Sequence, residues 1–289
     1  MAKIRKSAET SVAVAPAPPS GHRGLSAWER YQLASHKDRP RSSDFIKALF
    51  TEFSEIHGDR SFRDDAAVIC GMARFQGRAV VVIGQEMGKD AKDRQRRNFG
   101  MMHPEGYRKA MRVMNLASRF NMPVVVFVDT KGAYPGTGAE ERGQAEAIAR
   151  NIRDMYKIKT PIVVVVIGAG ASGGALGVGL GDRVLMLENS WYNVISPEGC
   201  AAILWNDPAM APTAAEALRL TAEEVLKLGV IDGIVAEPNG GAHMDPQATF
   251  DSLTGALKTN LAELEKLGVE DLLDQRAEKY RKMGVYREL

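Results

Sequence analysis

The middle of the chain is built on three apolar runs, at 79–83, 123–128 and 161–167. Each is followed by a polar or glycine-rich stretch. Residues of helical period come next, over about 104–120, 138–156 and 173–180. Pro123 and Pro161 stand 38 residues apart, each heading a β-branched run. Continuous Val/Ile runs that alternate with helices predict a core sheet covered by helices, an α/β fold. Shorter runs at 183–187 and 230–235 add two strands.

Two helices are predicted ahead of these runs. The first, 26–35, opens on Ser26 and Glu29 at the spacing of a capping box. In the second, 42–57, Phe45, Leu49, Phe50, Phe53 and Ile56 recur at helical spacing, with Asp44 capping the start and Gly58 ending it. At the other end, 246–282 reads as two amphipathic helices with little core potential, suited to a partner or a subunit edge. Residues 1–24 have no helical or strand period and predict a disordered tail ahead of one domain over 25–289. The tail starts basic (Lys3, Arg5, Lys6), but Glu9 and a Pro-Ala tract favour a plain tail over a transit peptide.

The 289 residues are 45% hydrophobic, enough for a substantial core. A net charge of +2 gives no sign of nucleic-acid binding. Cys70 and Cys200 form no CxxC pair, and His22, His36, His57, His103 and His243 show no HExxH spacing, so no metal site is expected. Cys70 reads as a small core residue. No apolar run approaches the roughly 20 residues of a membrane span, and no signal-peptide core is present. A cytoplasmic protein is the expectation.

Four segments carry candidate chemistry. Asp129–Gly136 follows the second run, where open α/β sheets gather ligands. Gly132 and Ala133 there can aim backbone N–H groups at an oxygen. The segment 168–174 follows the third run and is rich in glycine. Gly173 and Gly174 let the backbone approach a ligand closely, at a helix start that favours negative charge. Gly168, Gly170 and Gly173 also fit GxGxxG, with Glu188 20 residues after Gly168, the pattern of a dinucleotide site. Its following segment is too glycine-rich for a good crossover helix, and too little α/β pattern remains after it. Ser196-Pro-Glu198 makes a strong helix start beside the same strand ends. The basic run Lys89, Lys92, Arg94, Arg96 and Arg97 offers either a solvated face or a landing strip for phosphates. No nucleophile triad is evident.

Several blocks resemble one family. They are Asn98-Phe-Gly-Met101 with Pro104-Glu-Gly-Tyr-Arg-Lys109, then Gly132-Ala-Tyr-Pro-Gly136 with Gly138-Ala-Glu-Glu-Arg-Gly-Gln144. Further on come Ser172-Gly-Gly-Ala175, Val194-Ile-Ser-Pro-Glu-Gly-Cys200 and Glu237-Pro-Asn-Gly-Gly-Ala-His243. Together they resemble the alpha subunit of bacterial-type acetyl-CoA carboxylase carboxyltransferase, in order from about Trp28 to about residue 266. The resemblance implies a crotonase-like fold of repeated ββα units. It implies transfer of a carboxyl group from carboxybiotin, on a separate carrier protein, to acetyl-CoA to give malonyl-CoA. It implies an alpha–beta heterotetramer whose beta subunit carries the zinc ribbon, working with a biotin carboxyl carrier protein and a biotin carboxylase. Gly173 and Gly174 would form the biotin-side oxyanion hole with Gly132 and Ala133 beside it. Lys131, Tyr134, Ser196, Glu198, Lys89 and Arg97 would contact substrate. Lys131 and Met102 stand where the family usually has proline, and Ala169 and Ala171 replace its usual Glu and Gly. A malonyl-type decarboxylase subunit is the nearest alternative, and a nicotinamide-binding oxidoreductase the more distant one.

Overall fold

The protein is described from a computed structural model, over residues 24–284. The tail expected at 1–24 lies, Gly24 apart, outside the described residues. The strands are β1 (Thr51–Glu55), β2 (Val68–Phe75), β3 (Arg78–Gln85), β4 (Val124–Thr130), β5 (Ile162–Ala171), β6 (Arg183–Leu187), β7 (Trp191–Asn193) and β8 (Gly233–Val235). They form one sheet in the order β1-β2-β3-β4-β5-β6-β8, with β7 paired to the far end of β5. β1, β2 and β3 are antiparallel neighbours, and from β3 to β8 every pairing is parallel. The β2–β3 turn, Gln76-Gly77, has both residues at positive φ (51° and 80°), as a two-residue hairpin turn requires.

β4 and β5 are buried at every position, which is why their sequences are unbroken apolar runs. Alternate side chains leave opposite faces. Val124, Val126, Val164 and Val166 meet helices Pro104–Arg119, Gln144–Met155 and Ser172–Gly179. Val125, Phe127, Val163 and Val165 meet helices Ser42–Leu49 and Pro246–Leu264. Cys70 is fully buried within the sheet, as expected.

The expected helix at 42–57 is corrected. It ends at Leu49, Phe50 turns extended (φ −123°, ψ 150°), and β1 follows. Thr51-Glu-Phe-Ser-Glu adds itself to the open edge of β2, with a register shift at Glu52 (φ 52°), and Gly71 leaves space under the Phe53 ring. Backbone pairing with a distant strand outweighed the local helical spacing. Gly58 lies in the loop beyond, at φ 73°. The 138–156 helix is two pieces, Thr137–Glu141 and Gln144–Met155, separated at Gly143 (φ 81°).

The expectation for 246–282 is also corrected. Both helices form, as Pro246–Leu264 and Val269–Arg281, but they belong to the core. Leu253, Leu257, Leu261, Leu264 and Leu272 are at most 5% exposed against the sheet. Leu253, Leu257, Leu261 and Leu264 recur at spacings of four and three, the buried stripe of an ordinary core helix, and Leu272 joins them from the second helix.

Candidate functional site

The carboxyl ends of the parallel strands open into a cleft of about 460 Å³. Met87, just beyond β3, Lys131, just beyond β4, Ala169 and Ala171 on β5, and Trp191 on β7 line it. Tyr31 and Ala34 of helix Ala27–Ala34 form one wall, and Val194, Ile195, Ser196 and Glu198 another. Ser35, Arg41, Arg94 and Phe99 complete it. Helix Ala27–Ala34 starts on the expected capping box: Ser26 Oγ accepts from the Glu29 N–H at 3.2 Å, and Glu29 accepts from the Ser26 N–H at 2.8 Å.

The glycine turns lie next to this cleft and touch each other. Gly132, at φ 143°, carries the chain out of β4. Its N–H donates to Thr130 Oγ1 at 3.2 Å, and its carbonyl accepts from the Thr130 hydroxyl at 2.7 Å. Ser172 follows β5 in the left-handed region (φ 54°), an uncommon conformation for serine, and helix Ser172–Gly179 starts there. A Cβ on Gly174 would strike the Gly132 carbonyl group and the Ala133 nitrogen. The two turns therefore meet backbone to backbone. The Gly174 carbonyl accepts from Gln85 Nε2 at 2.8 Å and from the Tyr107 hydroxyl at 3.3 Å, which pins the helix start. The first N–H groups of a helix have no intrahelical acceptor, and Gly173 and Gly174 stand in this first turn.

Tyr134 lies beyond Ala133. Its N–H donates to the Met102 carbonyl at 3.1 Å, its carbonyl accepts from Gln144 Nε2 at 3.0 Å, and its ring stacks on His103 at 4.2 Å between centroids. Burial holds the His103 imidazole below its ordinary pKa, against the opposing pull of Asp65. Ser196 caps helix Pro197–Trp205 by accepting from the Gly199 N–H at 3.2 Å, and the Tyr31 hydroxyl donates to Glu198 at 2.8 Å. Burial, and then Glu198, push the Tyr31 hydroxyl well above its ordinary pKa.

The basic run divides. Lys89 pairs with Asp44, and Arg97 pairs with Asp93 and donates to the Ala66 carbonyl. Arg94 is the member that lines the cleft. Arg41, Tyr31 and Trp191 also line it and were not marked in the sequence. They come from a loop, a helix and a short strand distant in the chain, so no local pattern joins them.

The dinucleotide pattern has a different use here. Gly168 and Gly170 are inside β5, not in a phosphate-binding turn. A Cβ on Gly168 would strike the Asp129 carboxylate, and one on Gly170 would lie 2.8 Å from the Tyr192 ring. Glu188 is buried and accepts from the Glu237 N–H at 3.1 Å, so it is not set to meet a ribose. These glycines serve strand packing.

Among the described residues, no three His, Cys, Asp or Glu side chains are placed to hold a metal, and no helix is long and apolar enough to cross a membrane. A family model described as acetyl co-enzyme A carboxylase carboxyltransferase-like matches residues 14–284. The chain is 56% identical over 264 residues to the acetyl-coenzyme A carboxylase carboxyl transferase subunit alpha of Methylococcus capsulatus, covering 91% of this chain and 82% of that one. It is 51% identical over 265 residues to the same subunit of Listeria innocua, covering 92% and 83%. Among solved structures, transcarboxylase 12S superposes with a TM-score of 0.61 at 18% identity, covering 79% of this chain and 44% of that one. The beta subunit of geranyl-CoA carboxylase from P. aeruginosa gives 0.59 at 19%, covering 88% and 50%. The chain thus spans half or less of these two larger proteins. They share its crotonase-like fold, the fold expected from the sequence.

Proposed function

Given that the chain belongs to the acetyl-coenzyme A carboxylase carboxyltransferase alpha family, we propose that its glycine turns form the half-site that receives carboxybiotin and steadies the oxyanion left when the carboxyl group departs. The activity of the family is carboxyl transfer to acetyl-CoA, giving malonyl-CoA. The observation that supports this reading is the contact of the Gly132-Ala133 turn with the helix start at Gly173-Gly174.

Biotin fits what is there. Helix-start N–H groups at Gly173 and Gly174 suit a flat ureido group with a partly negative oxygen, and the lack of a Cβ at Gly174 lets the Gly132-Ala133 turn pack beside them. When bound, carboxybiotin supplies the carboxyl group and a nitrogen able to take up a proton. The chain supplies the rest. Gly173 and Gly174 donate to the ureido oxygen, and the Ala133 N–H lies beside them. Gly132 shapes the turn, since its own N–H already serves Thr130. The field of the helix start adds to this stabilisation. Losing one such donor typically costs about 10²–10³ in rate. Tyr134 and Gln144 hold the turn in place. Lys131, Ser196 and Glu198 line the adjoining cleft, while Lys89 and Arg97 are held in ion pairs with Asp44 and Asp93.

The naming of the relatives as subunit alpha implies a beta subunit. On this reading the beta subunit carries the zinc ribbon and most of the acetyl-CoA site, in a heterotetramer served by the biotin carboxyl carrier protein and biotin carboxylase in the cytoplasm. The test is reconstitution. The chain co-purified with a cognate beta subunit should convert malonyl-CoA and biotin to acetyl-CoA and carboxybiotin, while the isolated chain should turn over neither CoA ester. Robust turnover by the isolated chain would refute a split site. Failure of the complete complex would refute the carboxyltransferase reading.

A further inference from the structure

The cleft beside the glycine turns has more cations than carboxylates on its walls. Lys131 Nζ lies 5.3 Å from the centre of the Phe99 ring, and no carboxylate among the described residues is within ion-pair distance of it. Arg94 is held through the Gly88 carbonyl at 3.3 Å and the Lys37 carbonyl at 3.4 Å, also with no carboxylate partner among the described residues. Both side chains line the same cleft. Among the described residues Glu198 is the one acidic member of the lining, and it accepts from the Tyr31 hydroxyl.

Two buried donors in the walls repeat the imbalance. Arg41 is 2% exposed; its guanidinium donates to Asp129 at 3.0 Å and to the His36 carbonyl at 3.2 Å, but its Nε has no partner among the described residues. Trp191 is also 2% exposed, and its Nε1 has no partner among the described residues. Buried N–H groups are nearly always hydrogen-bonded, and orphans at one place call for an acceptor. Two uncompensated cations and two orphan donors around one space call for an anion. The apolar remainder of the wall, Met87, Phe99, Ala169 and Ala171, strengthens any charge interaction by excluding water.

We propose that this cleft is a carboxylate site, in which Lys131 and Arg94 grip the carboxyl group in transit, with the Arg41 and Trp191 N–H groups behind them. The source of that carboxylate rests on the carboxyltransferase reading; the site itself does not. Lys131 stands immediately before Gly132, so a carboxylate held there is presented next to the oxyanion turn. Such a site favours carboxylated ligands over their uncarboxylated counterparts.

Isothermal titration of the full chain with malonate, its dimethyl ester and inorganic phosphate provides the test. Malonate should bind more tightly than either of the others. Lys131→Met and Arg94→Gln should each weaken malonate by about tenfold, the scale of one hydrogen bond to a charged group. Lys131→Arg should retain binding, and thermal midpoints should show all three variants folded. Absence of malonate binding, affinity unchanged in both Lys131→Met and Arg94→Gln, or equal binding of phosphate overturns the proposal. The transfer assay separates the two readings. Transfer without malonate binding sinks this subsite alone, whereas malonate binding without transfer sinks the carboxyltransferase reading and leaves the subsite.

Discussion

Arg276 reaches from the last helix to Asp182 and forms a two-pronged pair, Nε to Oδ1 at 2.8 Å and a terminal nitrogen to Oδ2 at 2.7 Å. Neither side chain is more than 3% exposed. The same guanidinium donates to the carbonyls of Met155, Ile158 and Thr160. Asp182 in turn accepts from the Ile162 N–H at 2.7 Å, where β5 begins. One arginine thus ties the C-terminal helix to the entrance of a central strand.

Arg276→Ala strands a buried carboxylate and three carbonyls. The expected loss is about 3–5 kcal/mol, the usual result of removing one member of a buried pair. Urea denaturation of the full chain would measure it. A loss below about 1 kcal/mol would mean that solvent reaches Asp182 and that the helix docks loosely.

Leu257 and Val269 test whether the last two helices are core or edge. Leu257 is fully buried, while Val269 is 46% exposed. Leu257→Ala should cost about 2–5 kcal/mol, and Val269→Ala should stay within about 0.5 kcal/mol. Equal small effects in the unpartnered chain would return these helices to an edge role.

Gly173 and Gly174 should separate under alanine. A Cβ on Gly173 finds nothing nearer than Ile148 Cδ1 at 3.8 Å, whereas one on Gly174 runs into the Gly132 backbone. Gly173→Ala should therefore fold normally and keep transfer within a few-fold of wild type. Gly174→Ala should push the Gly132-Ala133 turn away and cut transfer by about 10²-fold, the loss expected when an oxyanion donor is displaced. Equal losses in the two variants would show that contact between the turns does not set the rate.

Stability should fall on acidification in two steps. Burial lowers the pKa of His103 and His243 below 6.5, so the unfolded chain takes up those protons first. Their contribution is complete above pH 6.5 and is lost as pH falls below it. Glu237 follows. Burial alone would raise its carboxyl, but Arg39 and Asn189 hold it below 4.5, so its contribution is present above 4.5 and is lost as pH falls through the lowered value. Urea midpoints at pH 8, 6 and 4 would trace both steps. A midpoint unchanged from pH 8 to 6, with His103→Phe and wild type alike, would remove the histidine step.

By itself, the sequence determined the central strands and the helices that cover them. β4 and β5 are unbroken Val/Ile runs because both faces are buried, and burial of that kind leaves its mark on every residue. The capping box at Ser26, helix Pro104–Arg119 and the glycine turns were legible for the same local reason. Tertiary structure alone decided β1, which pairs at an edge through backbone groups that any side chains could carry. It decided that Gly168 and Gly170 pack strands while Gly174 meets Gly132. It also brought Arg41, Arg94, Lys131 and Trp191 around one cleft. Periodicity records which face of its own element a residue occupies. It holds no record of which distant element that face will meet, and the charge balance of a cleft depends on that meeting.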